Sequence, residues 1–270
     1  MASRAHRSLH QRRAAQSGPR EPEAQRRGND VDQGSRGSRY RNRLAFHGET
    51  MTAFRKITAL ASVLALFLFS AQAGAQVVAG RDYRVLASPQ PTTNGARIEV
   101  LEFFWYGCPH CNNLQAPLSA WLKRKPADVE FKRMPAVFQD SWIPLTRAYF
   151  TIEALGLVDR LHHDVFAAIH EKKLRLQDPA VLFDWVAKQG IDREKFAQTY
   201  NSFAVQTRAQ RARDITSRYD IPGTPAVVVD GRYLTAPSLT LNPDNSINYD
   251  RFFKVLDEVI ALARKTRSGK

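Results

Sequence analysis

Cysteine is nearly absent: this 270-residue chain holds two. That count excludes a disulfide-stapled scaffold, and it excludes a zinc site built mainly from thiolates. No apolar run approaches the roughly 20 residues a membrane span needs; the longest, Ile57 to Phe69, has 13. There are no internal repeats. Acidic residues are outnumbered, 26 against 40 Lys and Arg. The imbalance would suggest nucleic acid if it were spread over a folded surface. It is not. Residues 1–75 hold 13 basic and 5 acidic side chains, a net of +8, which leaves about +6 for residues 76–270. Nucleic-acid binding by the folded part is not indicated.

The first 50 residues are rich in Arg, Gln, Gly, Ser and Ala, and their apolar residues are scattered. Such a composition cannot bury enough surface to fold, so a disordered basic extension is expected. At Met51 the character changes. Arg55 and Lys56 precede the apolar run, and Ala71-Gln72-Ala73 and Ala73-Gly74-Ala75 follow it. A basic start, a short apolar stretch and an Ala-x-Ala end form a secretory signal peptide. We read Met51 as the initiator, 51–75 as the signal, and residues 1–50 as lying upstream of the true start. A genuine extension before an internal signal stays open. Export implies an oxidising compartment, where a cysteine pair persists as a disulfide.

Beyond the signal, residues 77–94 carry turn residues and read as an irregular lead-in. Ala96 to Tyr106 is β-branched and aromatic, a buried strand. From Cys108 the apolar spacing becomes helical through Leu114, Leu118, Trp121 and Leu122, and Pro126 ends it. Val129 to Phe138 reads as a second strand, giving a βαβ unit with a parallel pair. Residues 142–213 contain no strand pattern, only amphipathic helices; one opens with Asp178 as N-cap and Pro179 at the first helical position. Ala226 to Thr235 then reads as a hairpin turning at Asp230-Gly231, and a last amphipathic helix follows from Tyr249. The expected order is βαβ, helical insertion, ββα, with units at 76–140, 141–213 and 214–270.

The two cysteines sit at 108 and 111, in "FFWYGCPHCNNLQ", at the junction of the first strand and helix. Three readings fit a Cys-x-x-Cys pair there. A metal site would need two more ligands, such as His162 and His163 or carboxylates. A purely structural disulfide would close a loop too small to remove much chain entropy. A redox pair fits the helix start, where free N–H groups and the macrodipole favour a thiolate at Cys108. On that reading Cys108 is exposed and nucleophilic and Cys111 is the buried resolving partner. The His110 imidazole would donate to the thiolate, and Pro109 would pre-set the first turn. Glu102 is anomalous in a buried apolar strand, since a buried carboxylate is costly without a role or partner; an ordinary pairing with Lys132 or Arg133 at a strand edge is the alternative. Trp105 and Tyr106 divide between core and substrate groove. His162 and His163 are expected on an exposed helix face, and Phe166, Leu182, Phe183 and Trp185 in the core.

The element order and these motifs resemble the thioredoxin superfamily, and within it the DsbA-like thiol:disulfide oxidoreductases. The matching pieces are "VLEFFWYGCPHC" (Val100 to Cys111), the helical insertion, "GTPAVVVDGRY" (Gly223 to Tyr233) and the final helix. Pro-His between the cysteines is the specific part. The resemblance implies an α/β thioredoxin fold with an inserted all-helical domain, and a cis bond at Thr224–Pro225 facing the cysteines and pairing with substrate. It implies that Glu102 helps move the proton of the buried thiol. It implies a monomeric periplasmic oxidase that gives its disulfide to reduced exported proteins, needs no bound cofactor, and is re-oxidised by a DsbB-type, quinone-linked membrane oxidase. A reductase or isomerase of the same fold stays open, as does a peptide-binding chaperone with idle cysteines.

Overall fold

The computed structural model describes residues 77–93 and 95–269. The basic extension and the signal peptide therefore lie outside the described residues, apart from the lead-in that follows them. Five strands and seven α-helices are present among the described residues. In chain order they are β1 (Arg84–Val85), β2 (Ile98–Phe104), α1 (Pro109–Arg124), β3 (Val129–Pro135), α2 (Ile143–Ala154), α3 (Val158–His170), α4 (Pro179–Lys188), α5 (Arg193–Tyr200), α6 (Phe203–Arg218), β4 (Ala226–Val229), β5 (Tyr233–Thr235) and α7 (Tyr249–Arg267). The strands form one mixed sheet ordered β1-β5-β4-β2-β3. Only β2 and β3 run parallel; β2–β4, β4–β5 and β5–β1 are antiparallel.

β2 lies inside the sheet, between β4 and β3, and every residue of it is buried. Its side chains alternate between two cores. Ile98 and Val100 face α1 and α7 among Leu114, Leu118, Trp121, Phe252, Leu256 and Val259. Leu101 and Phe103 face the other side, against Leu86, Tyr219, Ile221 and Val228. Large side chains such as Trp121 and Phe252, at most 1% exposed, each contribute about 1.5–3 kcal/mol by leaving water. Asp257 of α7 accepts from the Trp121 indole and from Arg124, both at 2.8 Å, tying α1 to α7.

Helices α2 to α5 and most of α6 close around a third core that includes Phe104, Tyr106, Tyr149, Phe166, Trp185 and Phe196. Their ends follow sequence chemistry. The Asp178 carboxylate accepts from the Ala180 N–H and caps α4 ahead of Pro179; Asp192 and Ser202 cap α5 and α6 likewise. The hairpin turns at Asp230 and Gly231, both with positive φ (55° and 61°), as a two-residue turn of its hand requires. A Cβ at Gly231 would lie 2.0 Å from the Gln90 carbonyl oxygen, so only glycine lets the lead-in pack there. Two details differ from expectation. β1 is a two-residue strand too short to leave a periodic signal. β3 stops at Pro135, whose missing N–H cannot continue a ladder. Helix α6 runs to Arg218, in keeping with the helical pattern of residues 204–219, because no breaker precedes Asp220 and Pro222.

Candidate functional site

β2 ends at Phe104, and a turn then starts α1. The Cys108 N–H donates to the Trp105 carbonyl at 3.0 Å, closing the turn over Tyr106 and Gly107. Cys108 becomes the N-cap of α1, extended at φ −86° and ψ 118°, with Pro109 at the first helical position. Cys111 lies one turn further on, wholly buried. Both are free thiols. Across from them, the Thr224–Pro225 bond is cis, and the Thr224 carbonyl is 3.3 Å from the Cys108 sulfur. That carbonyl can accept only from a protonated thiol, so the contact belongs to the neutral state.

The two sulfurs are driven apart in acidity. Cys108 is pulled from the ordinary thiol range down to about 5. The Cys111 thiol, donating to it, is the largest cause; the Thr224 side chain, as distinct from its carbonyl, and the backbone N–H groups of Cys111 and His110 add to it, against the opposing effect of burial. Cys111 is pushed well above the ordinary range, by burial first and then by Cys108. One thiol is thus poised as a thiolate and the other as a proton carrier.

Several expectations change. Cys108 is not openly exposed but 8% accessible, because the sulfur turns inward to Cys111 beneath the Thr224 loop. Pro109 and His110 are exposed, and the imidazole makes no hydrogen bond among the described residues; the backbone N–H of His110 acts on the sulfur instead. Tyr106 is core, at 1% exposure. Trp105 is half-buried and stacked on Trp142 at 4.1 Å and 6°, with its ring where a Cβ on Gly107 would stand, 2.4 Å away. His162 is buried at 2%, not on an exposed face; only His163 is exposed. Among the described residues no three His, Cys, Asp or Glu side chains gather as a metal site would require.

Glu102 is fully buried on the α1 side of the sheet, in an interior strand and not at an edge. Burial raises its carboxyl to about 7, opposed by the Arg133 guanidinium. Arg133 stands opposite it in the parallel register, with Nε 3.3 Å from a carboxylate oxygen, whereas Lys132 pairs with Glu99 at 3.0 Å. The Gln115 amide, one turn beyond Cys111, donates to the Cys111 carbonyl at 2.9 Å.

Beside Cys108 a cleft of about 320 Å³ opens between His110, the Pro222–Pro225 loop and the Ala236–Ile247 segment, including Pro237 and Leu241. A larger cavity of about 530 Å³ lies between β3 and helices α2 and α6, and shares no lining residue with that cleft.

Comparison with known proteins agrees with this arrangement. Residues 99–242 match the DSBA-like thioredoxin domain family. The thiol:disulfide interchange protein DsbA of Bordetella parapertussis is 40% identical over 214 residues, covering 79% of this chain and 99% of that protein. The chain belongs to the DsbA family. The DsbA of Pseudomonas aeruginosa is 39% identical over 177 residues, 66% of this chain and 83% of that one. Its crystal structure superposes with a TM-score of 0.64 at 35% identity, covering 71% and 97% of the two chains. The protein is accordingly an α/β thiol:disulfide oxidoreductase with a DsbA-like thioredoxin fold, and its chemistry is dithiol–disulfide exchange.

Proposed function

We propose that the Cys108–Cys111 disulfide is the oxidant, handed to reduced exported polypeptides in the periplasm. The observation carrying this reading is the split in acidity between a thiol at about 5 and a buried partner held protonated. A substrate thiolate attacks the Cys108 sulfur, forms a mixed disulfide and breaks the bond to Cys111. The leaving Cys111 sulfur takes up a proton, for which Glu102, ionising near 7, is the nearby carrier, held by Arg133. A second substrate thiolate attacks the substrate sulfur of the mixed disulfide. Cys108 leaves as a thiolate, the better leaving group for its low proton affinity. Substrate loses two electrons, and the enzyme pair gains them.

In this reading the His110 and Cys111 backbone N–H groups hold the thiolate, with Pro109 starting the turn that aims them. The Thr224 backbone and Pro225 form the wall along which an extended substrate strand lies, beside the cleft at Pro237 and Leu241. The electrons need no bound cofactor inside this chain; they pass to a DsbB-type, quinone-linked membrane oxidase that restores the disulfide. The exchanging species is a monomer. The chain divides into a thioredoxin-like unit, 76–140 and 214–270, around a helical insertion at 141–213, and the export signal at 51–75 delivers it. Refolding of a reduced, disulfide-containing test protein decides the matter: the wild type should restore its activity and Cys108→Ser should not. A strongly reducing potential for the pair would overturn the direction of transfer.

A further inference from the structure

Helix α3 carries His162, Phe166 and His170 at four-residue intervals, which places them on one stripe. All three touch Tyr106, a residue of the active-site turn and not of the insertion. His162 Nδ1 lies 2.9 Å from the Tyr106 hydroxyl. The Phe166 ring meets the Tyr106 ring edge-on at 5.0 Å. His170 Nε2 lies 2.8 Å from the Tyr106 carbonyl oxygen. A carbonyl only accepts, so His170 carries its hydrogen on Nε2.

Tyr106 is therefore held at both ends, by its hydroxyl and by its backbone. Its position matters because it occupies the turn closed by the Cys108 N–H on the Trp105 carbonyl. That turn sets Cys108 in the extended N-cap geometry from which its sulfur faces the N–H groups of His110 and Cys111. Rotating the peptide between Tyr106 and Gly107 would swing the sulfur off those donors, and it cannot rotate while His170 holds the carbonyl. The other nitrogen of His162 is buried with no partner, a cost of about 1–3 kcal/mol that an apolar ring would avoid. The bond at Nδ1 is what an imidazole supplies there and a phenyl ring would not.

We propose that α3 is a positioning clasp: His162 and His170 fix the Tyr106 turn and thereby set the ionisation of Cys108, which makes the helical insertion part of the redox tuning. Neither histidine touches a reacting sulfur, so both act through Tyr106. The inference rests on Cys108 and Cys111 being the exchange pair.

The test uses the reduced, exported form of the full chain and two readouts, the pH midpoint of Cys108 thiolate absorbance and the redox equilibrium with glutathione. His170→Leu should raise the midpoint by about one pH unit, a tenfold weaker ionisation. His170→Gln places an amide nitrogen where Nε2 stood and should return to within about threefold of wild type. His162→Phe and Tyr106→Phe break the same bond from opposite sides, so each should raise the midpoint equally and the double variant should go no further. His162→Asn, which keeps a polar atom near the Nδ1 position, should rescue. If the removal variants stay folded and melt lower but ionise at the wild-type midpoint, the histidines serve the fold alone and the clasp is wrong. Should His170→Leu fail to fold, Tyr106→Phe, which deletes a single hydroxyl, decides between the same two outcomes. Failure of the exchange reading itself shows separately, as activity surviving in Cys108→Ser.

Discussion

Replacing Cys111 by Ala and by Ser separates the forces that make Cys108 acidic. Cys108 ionises near pH 5 where an ordinary thiol ionises near 9. At about 1.4 kcal/mol per pH unit that gap is about 5 kcal/mol, an upper bound because solvent reaches the sulfur and screens part of it. The largest contribution is the Cys111 thiol donating to the Cys108 sulfur. A hydrogen bond to a charged acceptor contributes roughly 1.5–3 kcal/mol, or about 1–2 pH units. Cys111→Ala removes that donor and leaves the backbone N–H groups of His110 and Cys111 in place. It should therefore ionise near pH 6 to 7, still about two to three units below an ordinary thiol. Cys111→Ser keeps a hydroxyl donor and should stay close to the wild type. The assay is thiolate absorbance against pH, checked by the pH dependence of iodoacetamide alkylation, which in each variant reports Cys108 alone. If the Ala variant still ionises at about 5, the helix start alone sets the acidity and the reasoning from the sulfur–sulfur contact is refuted.

Three further outcomes follow from buried groups. Glu102 ionises near 4.5 when unfolded and near 7 when folded; between those values the folded state keeps a proton that the unfolded chain releases. Stability should therefore fall as pH rises through that window, by up to about 3 kcal/mol, and Glu102→Gln should flatten the slope in denaturant melts of the reduced protein; an unchanged slope contradicts the assignment. His162 is depressed well below its ordinary range by burial, then by Arg133 and His163, while Tyr106 and Tyr149 face it as neutral phenols. The unfolded imidazole takes a proton near ~6.5, so its contribution is full above that pH and is lost as pH falls below it; His162→Asn should retain more of its stability at pH 5, and equal acid losses in both proteins would count against it. Gly107→Ala drives a Cβ into the Trp105 ring, itself stacked on Trp142. It should cost about 1–3 kcal/mol and change tryptophan fluorescence, and an unaltered spectrum with full stability would show that the ring is not wedged there.

The parts of the fold legible in the sequence are those written in local chemistry. The aromatic run of β2, the Asp178-Pro179 start of α4 and the Asp230-Gly231 turn each announce their conformation within a few residues. The site was legible where it was contiguous, as in Cys108 to Cys111. It was not legible where one residue's environment depends on a distant one. His162 stands beside His163 and Asp164, a polar triplet that reads as solvent-facing, and only the phase of α3 against Tyr106 buries it. Glu102 could be matched to Lys132 or Arg133 from sequence; the parallel register decides, placing Arg133 opposite Glu102 and Lys132 opposite Leu101. Strand alternation offered a usable signal there, because Glu99 and Glu102 must point to opposite faces. The signal for α3 was the four-residue repeat of His162, Phe166 and His170. The near-burial of Cys108 comes from a loop that arrives 116 residues later.

That long interval has a consequence for how the enzyme matures. A chain synthesised from its N-terminus presents both thiols before it presents Thr224. Without the later segment the first sulfur lacks the cover that the Thr224 carbonyl gives it. The helix start and Cys111 supply most of the acidity within a few residues, and the share that rests on Thr224 is completed only when that segment is in place; a truncation that spares every residue through the helical insertion would still lack it.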